Sequence, residues 1–310
     1  MARYIVRRVM YMIPLALCVT LIIFLIMSFT PGDPATNNLP ITTEPHVKQA
    51  YNESVGYTGS LFTRYTNFLK GLLKGEVLSY TSRNNVFTEL RQRFPMTIRL
   101  GMLGFLLSSV IGVTIGIICA VKQHSFFDTA TTVVVVLFSC VPTFFAGVIL
   151  LLLFSVKLNI FPSFFAVEQG IRGLVLPTLT TVIGSVPTLS RLTRSAMLSV
   201  LEQDYIRTAR AKGVPEKTVI WKHALKNASF PIIMVLLSGF AGVLGGSVVS
   251  ETIYSVPGIG TYLTTAISTK NTPGVMLCAF LLSLVYMAAM LLIDITFAIV
   301  DPRIRARYEQ

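Results

Sequence analysis

The chain of 310 residues is 53% hydrophobic and only 13% charged, whereas ordinary soluble domains carry about 25% charged residues. That composition, with a mean hydropathy of +0.69, excludes a water-soluble globular domain and places the chain in lipid. The net charge of +12 does not point to nucleic acid, because the basic residues sit between apolar runs, where they set topology.

A hydrocarbon core of about 30 Å needs about 20 helical residues, and six apolar runs meet that length: Val9 to Phe29, Leu100 to Val121, Thr129 to Val156, Gly173 to Ser190, Phe230 to Ser250 and Val275 to Val300. Arg3, Arg7 and Arg8 precede the first run. Its length, and the lack of a small-residue cleavage site before Pro31, predict a retained helix and not a signal peptide. In the segment 30–98 that follows, Leu61, Phe62, Tyr65, Phe68, Leu69, Leu72 and Leu73 recur at helical spacing. The opposite face is assigned Arg64, Lys70 and Lys74, so this helix either lies on the outer leaflet or packs on the bundle. Val86, Leu90 and Phe94 predict a second short helix leading to Pro95 and span two.

Span two carries small residues at every fourth position: Gly104, Ser108, Gly112, Gly116 and Ala120. Span five repeats the pattern with Ser238, Gly242, Gly246 and Ser250. Such faces let helix backbones approach closely where lipid offers no hydrophobic drive, so both are expected to pack, against this chain or another subunit. Pro142, Pro177 and Pro187 predict kinks in spans three and four. Asp294, near the end of span six, is the single ionisable residue across the six spans. It is expected to be a hydrogen-bonded or interface-reaching carboxylate. Cys18, Cys119, Cys140 and Cys278 all fall inside spans and form no disulfide or metal pattern.

The segment 191–229 is too long for a connector and holds eight Lys and Arg residues. With the basic N-terminal tail and Arg303, Arg305 and Arg307 after span six, it places both termini in the cytoplasm. Within it, Glu202, Gln203 and Asp204 start a short helix that Gly213 and Pro215 stop. This helix is too polar for lipid and presents Tyr205, Ile206, Thr208, Ala209 and Ala211 among basic residues. It reads equally as a docking element or as a basic loop on anionic head groups. Val219 to Ala228 then returns the chain to span five.

The run Asp204-Tyr205-Ile206-Arg207-Thr208-Ala209-Arg210-Ala211-Lys212-Gly213, with His223-Ala224-Leu225-Lys226-Asn227-Ala228 after it, resembles the EAA loop of ABC importer permeases, in the version of the dipeptide, oligopeptide and nickel branch. Thr30-Pro31-Gly32-Asp33-Pro34, Phe94-Pro95-Met96-Thr97, Glu251-Thr252-Ile253-Tyr254-Ser255-Val256-Pro257-Gly258-Ile259-Gly260 and the tail Asp301-Pro302-Arg303 carry the same resemblance along nearly the whole chain. Arg207 stands where the general pattern has Glu, Thr208 at its first Ala, and Leu225-Lys226 at its Leu-Pro. The peptide and nickel branch is similar in these departures, which remove any role resting on that Glu.

The resemblance implies an all-α membrane protein with the type I ABC importer permease fold, in a bacterial or archaeal cell membrane. It implies a first span (1–29), an external segment (30–98), a five-helix core (99–300) with the loop 191–229, and a cytoplasmic tail (301–310). Asp204 to Gly213 would dock on a cytoplasmic ATPase subunit. Glu251, Tyr254, Pro257, Gly258 and Gly260 would form an outer gate or the contact for an external solute-binding protein. Partners would be a second homologous permease, two ATPase subunits and that binding protein. The chain has no GxxxxGK[ST] loop, so ATP and Mg belong to the partners, and neither cofactor nor metal is expected in this chain. The substrate class implied is dipeptides or oligopeptides, with nickel, a metal chelate or short oligosaccharides as alternatives. His46, His124 and His223 lie outside the spans and outline no metal cage. A stand-alone channel or secondary transporter would call for charged or broken helices at the midplane and inverted repeats. A membrane enzyme would call for a nucleophile and base or a carboxylate cluster. The sequence shows neither pattern.

Overall fold

The computed structural model describes residues 2–244 and 248–300, so Gly246 and the tail 301–310 lie outside the described residues. The helices run in the order α1 (Ala2–Phe29), α2 (Pro34–Asn38), α3 (Pro45–Ser54), α4 (Leu61–Lys74), α5 (Val86–Val121), α6 (Phe126–Cys140) and α7 (Thr143–Leu150). Then follow α8 (Val175–Leu201), α9 (Asp204–Ala211), α10 (Glu216–Thr218), α11 (Leu225–Leu244), α12 (Val248–Ile253), α13 (Ile259–Ser268) and α14 (Thr272–Val300). Among the described residues the only β pairing is one isolated bridge between Leu78 and Asn85.

Among the described residues four helices are long and apolar enough to cross a membrane, and a bent helix pair makes a fifth crossing if it is one span. The predicted third span is not one kinked helix: Phe126–Cys140 and Thr143–Lys157 meet at 99°. Pro142 explains the break, since a residue before proline is pushed to extended backbone and Val141 sits at φ −85°, ψ 120°. Pro177 falls in the first turn of α8, where a missing N–H costs nothing, and α8 continues through Pro187 as one helix. The predicted fifth span is α11, whose far end reaches the residues not described.

The chain divides into two contact units, which group it differently from the chain-order segments. Among the described residues the first holds 2–98, 244, 248–252 and 257–300. Here α1 packs along α14, and Arg8 pairs with Asp294. The stripe on α4 turns to the bundle: Phe68 joins Phe24, Met27, Val77, Leu90 and Leu277 in the core, and the Tyr65 hydroxyl lies 3.2 Å from Thr20 Oγ1. Ser60 caps the start of α4 by accepting from Thr63 N, and Gly75 ends it at φ +72°. Arg64 is not on the solvent face of α4 but buried, 9% exposed. Four residues are one turn plus about 40°, so Arg64 shares the face of Phe68.

The second unit holds residues 99–243 and 253–256, and in it the small-residue face of α5 lies on α8. A Cβ added to Gly104 would come within 2.8 Å of Thr181, one at Gly112 within 3.0 Å of Leu189, and one at Gly116 within 2.5 Å of Thr193 and 2.7 Å of the Ser190 carbonyl. The predicted packing of span two is therefore within this chain. Gly242 differs, with nothing within 4 Å of its added Cβ. Gly116→Val is expected to cost about 1–3 kcal/mol through overpacking, because backbone cannot yield as a flexible side chain can. Thermal melting in detergent should show the loss, and an unchanged midpoint would mean that α5 and α8 do not pack this closely.

Candidate functional site

The sequence of 202–219 dictates a short helix with firm ends. Asp204 sits in the first turn of α9, where the unpaired N–H groups favour an anion. At the other end Gly213 takes φ +77°, its N–H donates to the Arg210 carbonyl at 2.9 Å, and Val214 N–H donates to the Ala209 carbonyl at 3.2 Å. These two bonds are a Schellman ending, which needs a left-handed residue and so favours glycine. Pro215 then leads into α10.

One side chain fastens this helix to its unit. Ile206 is fully buried and packs with Ile117, Met197, Val219, Ala224 and Ala228, whose small size makes the socket. Arg210 adds a two-pronged ion pair across the Gly213 turn, with Nη2 donating to Glu216 Oε1 at 2.7 Å and Nε to Oε2 at 3.1 Å. Arg210 holds the Glu216 carboxyl below its ordinary range. The pair is therefore intact at neutral pH and is lost as acid protonates Glu216. Asp204 and Arg207 are 3.7 Å apart and highly exposed, an arrangement that contributes little.

What remains outward is Tyr205, 44% exposed, with Arg207, Thr208, Ala211, Lys212 and Gly213. Ala209 is half-buried. Trp221, the only tryptophan, is 56% exposed in the same loop. Sequence reasoning passed over it, although a lone exposed Trp in a basic loop is a recognisable anchor for a partner.

α8, the helix that leads into α9, carries half of a buried ion pair that the sequence reading missed. The Arg194 guanidinium on α8 grips Asp128, Nε to Oδ1 and Nη2 to Oδ2, both at 2.7 Å. Asp128 is 4% exposed and also accepts from His124 N at 3.1 Å. Ser125 caps α6 by accepting from Asp128 N, so the Ser-x-x-Asp spacing was the available signal.

A second feature of this unit is a cavity of about 420 Å³ lined by Ser108, Ser109, Thr181, Ser185, Thr188 and Ser238 together with Phe105, Leu189 and Gly239. No charged side chain lines it. The Ser109 hydroxyl is buried with no partner among the described residues, and Ser108 and Ser238 donate to their own helices, leaving their oxygen lone pairs open. The every-fourth spacing of Ser108 and Ser238 predicts packing alone, and the cavity gives the same hydroxyls a second surface.

The predicted outer-loop residues are mostly buried. Glu251 is fully buried, its Oε2 accepting from Gly260 N at 2.6 Å and Thr261 N at 3.2 Å. It sits so close to Gly258 that no Cβ fits there. Gly260 is equally confined, its added Cβ falling 2.6 Å from Val248 Cα. In the second unit the Tyr254 hydroxyl donates to the Gly147 carbonyl at 2.8 Å and lies 3.1 Å from Thr180 Oγ1. Of the residues expected at an outer gate or binding-protein contact, Glu251, Tyr254, Gly258 and Gly260 are buried, the carboxylate and phenol satisfying backbone groups of their own units. Pro257 alone of the five is exposed. Among the described residues no three His, Cys, Asp or Glu side chains converge as metal ligands.

Comparison with known proteins places these features in company. The family described as "Binding-protein-dependent transport system inner membrane component" matches residues 112–306. A companion, "Binding-prot-dependent transport system membrane comp, N-term", matches residues 1–101. The chain is 33% identical over 308 residues to the dipeptide transport system permease protein of Bacillus subtilis strain 168, covering 98% of each chain. It is 33% identical over 318 residues to that organism's oligopeptide transport system permease protein, covering 98% of this chain and 99% of the relative. It is 34% identical over 339 residues to the di/tripeptide transport system permease protein of Pseudomonas aeruginosa, again covering 98% and 99%.

Proposed function

The chain belongs to the binding-protein-dependent transport system inner membrane component family, and from that premise we propose that it is one of two homologous permeases that together form the pathway of an ATP-driven importer of di- and oligopeptides. It is a multi-pass membrane permease subunit of a peptide ABC importer, with no catalytic activity and no cofactor of its own; ATP hydrolysis lies in other subunits. The observation that carries the peptide reading is near full-length similarity to relatives named for dipeptides, oligopeptides and di/tripeptides.

The remaining assignments extend the family resemblance to this chain's own residues. Both termini and the 191–229 loop face the cytoplasm of a bacterium or archaeon, in keeping with the concentration of Lys and Arg there. Helix α9 seats in an ATPase subunit, with Tyr205 and Trp221 as aromatic anchors and Arg207 and Lys212 as the charged rim. Two such ATPases, charged with ATP and Mg, close and open, and the Ile206 socket passes the displacement to α5, α8 and α11. An external solute-binding protein delivers the peptide, and the Glu251 to Gly260 loop, exposed at Pro257, works as a gate more than as a docking face. The hydroxyl-lined cavity suits a peptide because Ser and Thr oxygens hydrogen-bond amides of any sequence without fixing charge.

The test is co-purification in mild detergent of the chain expressed with its neighbouring genes, followed by uptake of labelled dipeptide in proteoliposomes. A second permease, ATPase subunits and ATP-dependent dipeptide uptake are expected. Recovery of the chain alone, or an assembly that moves a nickel chelate or oligosaccharide but no peptide, would overturn the proposal.

A further inference from the structure

The first unit buries two cations that no carboxylate neutralises. Arg64 on α4 is 9% exposed and Lys270, between α13 and α14, is 4% exposed, and neither takes part in an ion pair among the described residues. Lys270 is satisfied by carbonyls, donating to Met27 O at 3.1 Å and Thr30 O at 2.7 Å. Arg64's charge adds to burial in pushing the Lys270 ammonium below its ordinary range, so the two positive charges feel one another. A buried charge with no counterion is costly, so this pair of cations favours an anion beside it.

Arg64 shows where the anion goes. The guanidinium carbon lies 4.0 Å from the Tyr57 ring centre and 5.5 Å from that of Phe24. A cation over an aromatic ring gains from the ring face and still has its N–H groups to donate. Nε and Nη2 are both buried and meet hydrogen-bond geometry with no described residue, while the Tyr80 hydroxyl lies close enough for the guanidinium to act on it. Those two nitrogens are one side of the guanidinium fork, the edge that receives both oxygens of a carboxylate. The buried Thr272 Oγ1 is likewise without a partner.

Arg64 and Thr272 line the same cavity, about 200 Å³, with Asn67, Tyr80 and apolar walls that include Phe68 and Met276. A single water needs roughly 10–15 Å³ of such space, so there is room for a small organic molecule. Glu76, exposed on the same lining, disfavours a doubly charged phosphate and leaves a singly charged carboxylate as the fitting ligand.

We propose that this cavity binds a small organic carboxylate, a free amino acid or the C-terminal residue of a peptide, with Arg64 Nε and Nη2 holding the two oxygens side-on and Thr272 Oγ1 donating to one of them. The site is separate from the hydroxyl-lined cavity and does not depend on transport, so it can be tested on the permease alone.

Acetate, alanine, dialanine, alaninamide and inorganic phosphate are titrated into the full chain in zwitterionic-lipid nanodiscs, with saturation-transfer NMR as readout. Saturable binding of acetate, alanine and dialanine, with none of alaninamide, is expected. Arg64→Lys, which keeps the charge and loses the fork, should weaken carboxylate binding at least tenfold, and Thr272→Val severalfold at unchanged ligand-free melting temperature. Tighter binding of dialanine than of alanine assigns the site to peptide termini, and the reverse to free amino acids; either supports the proposal. Equal binding of alanine and alaninamide, tighter binding of phosphate, full affinity in both variants, or no saturable carboxylate binding would overturn it.

Discussion

Gly213→Pro is expected to lower peptide uptake at least tenfold while the chain still reaches the membrane. The position is defined by φ +77°, and proline holds φ near −65° and has no N–H. The substitution therefore removes the bond from Gly213 to the Arg210 carbonyl and rotates the chain leaving α9, at a cost on the order of 3 kcal/mol. That strain falls on the end of an eight-residue helix held by one buried side chain, Ile206, and one exposed ion pair. Local release of α9 is the cheapest relief, because the long apolar helices do not depend on it. Gly213→Ala keeps the N–H and pays only for a left-handed Cβ, about 1–2 kcal/mol, so it should retain more uptake than the proline variant. Uptake of labelled dipeptide, alongside pull-down of the ATPase subunits, checks both. Normal uptake by Gly213→Pro with the ATPases still bound would show that α9 does not transmit their motion.

The end of α9 was legible in the sequence because Gly213 and Pro215 have few backbone options, and a local constraint can be read locally. The apolar stripe on α4 was legible for the same reason. Arg64 was not, since a charged residue on an amphipathic helix is assigned to water unless its aromatic neighbours, Tyr57 and Phe24, are already known in space. The small-residue face of α5 announced close approach but not its partner; α8 supplies Thr181, Leu189 and Thr193, residues that look ordinary in their own run. Pro142 announced a break, yet the 99° angle depends on packing on both sides of it. The hydroxyl cavity was hidden because Ser and Thr in an apolar span serve helix packing and ligand contact with the same atoms. The burial of Glu251 was hidden because a loop rich in Gly and Pro reads as exposed, whereas here Gly258 and Gly260 make room for the carboxylate.

Asp128→Ala is expected to be the most destabilising single change among the polar residues, by about 3 kcal/mol, and to lower the melting temperature by roughly 5–10 °C. Its carboxylate is nearly fully buried and accepts three bonds, two from Arg194 and one from His124 N. Truncation leaves a guanidinium whose side chain is only 30% exposed without its counterion, along with an unpaired backbone N–H. Asp128→Asn keeps an acceptor and loses the charge, so it should fall between wild type and alanine. The double change Asp128→Ala with Arg194→Met should recover much of the loss, because an apolar replacement for an ion pair is often neutral when neither charge remains. A double variant no more stable than Asp128→Ala would mean that the carboxylate acts through the His124 turn and not through Arg194. The location of the pair gives the comparison its functional meaning: α8 ends at Leu201 and α9 begins at Asp204, so the clamp on Arg194 fixes the helix from which α9 hangs. Uptake measured in the stabilised double variant separates these roles, since a fold restored without the clamp leaves α9 on a less constrained mount.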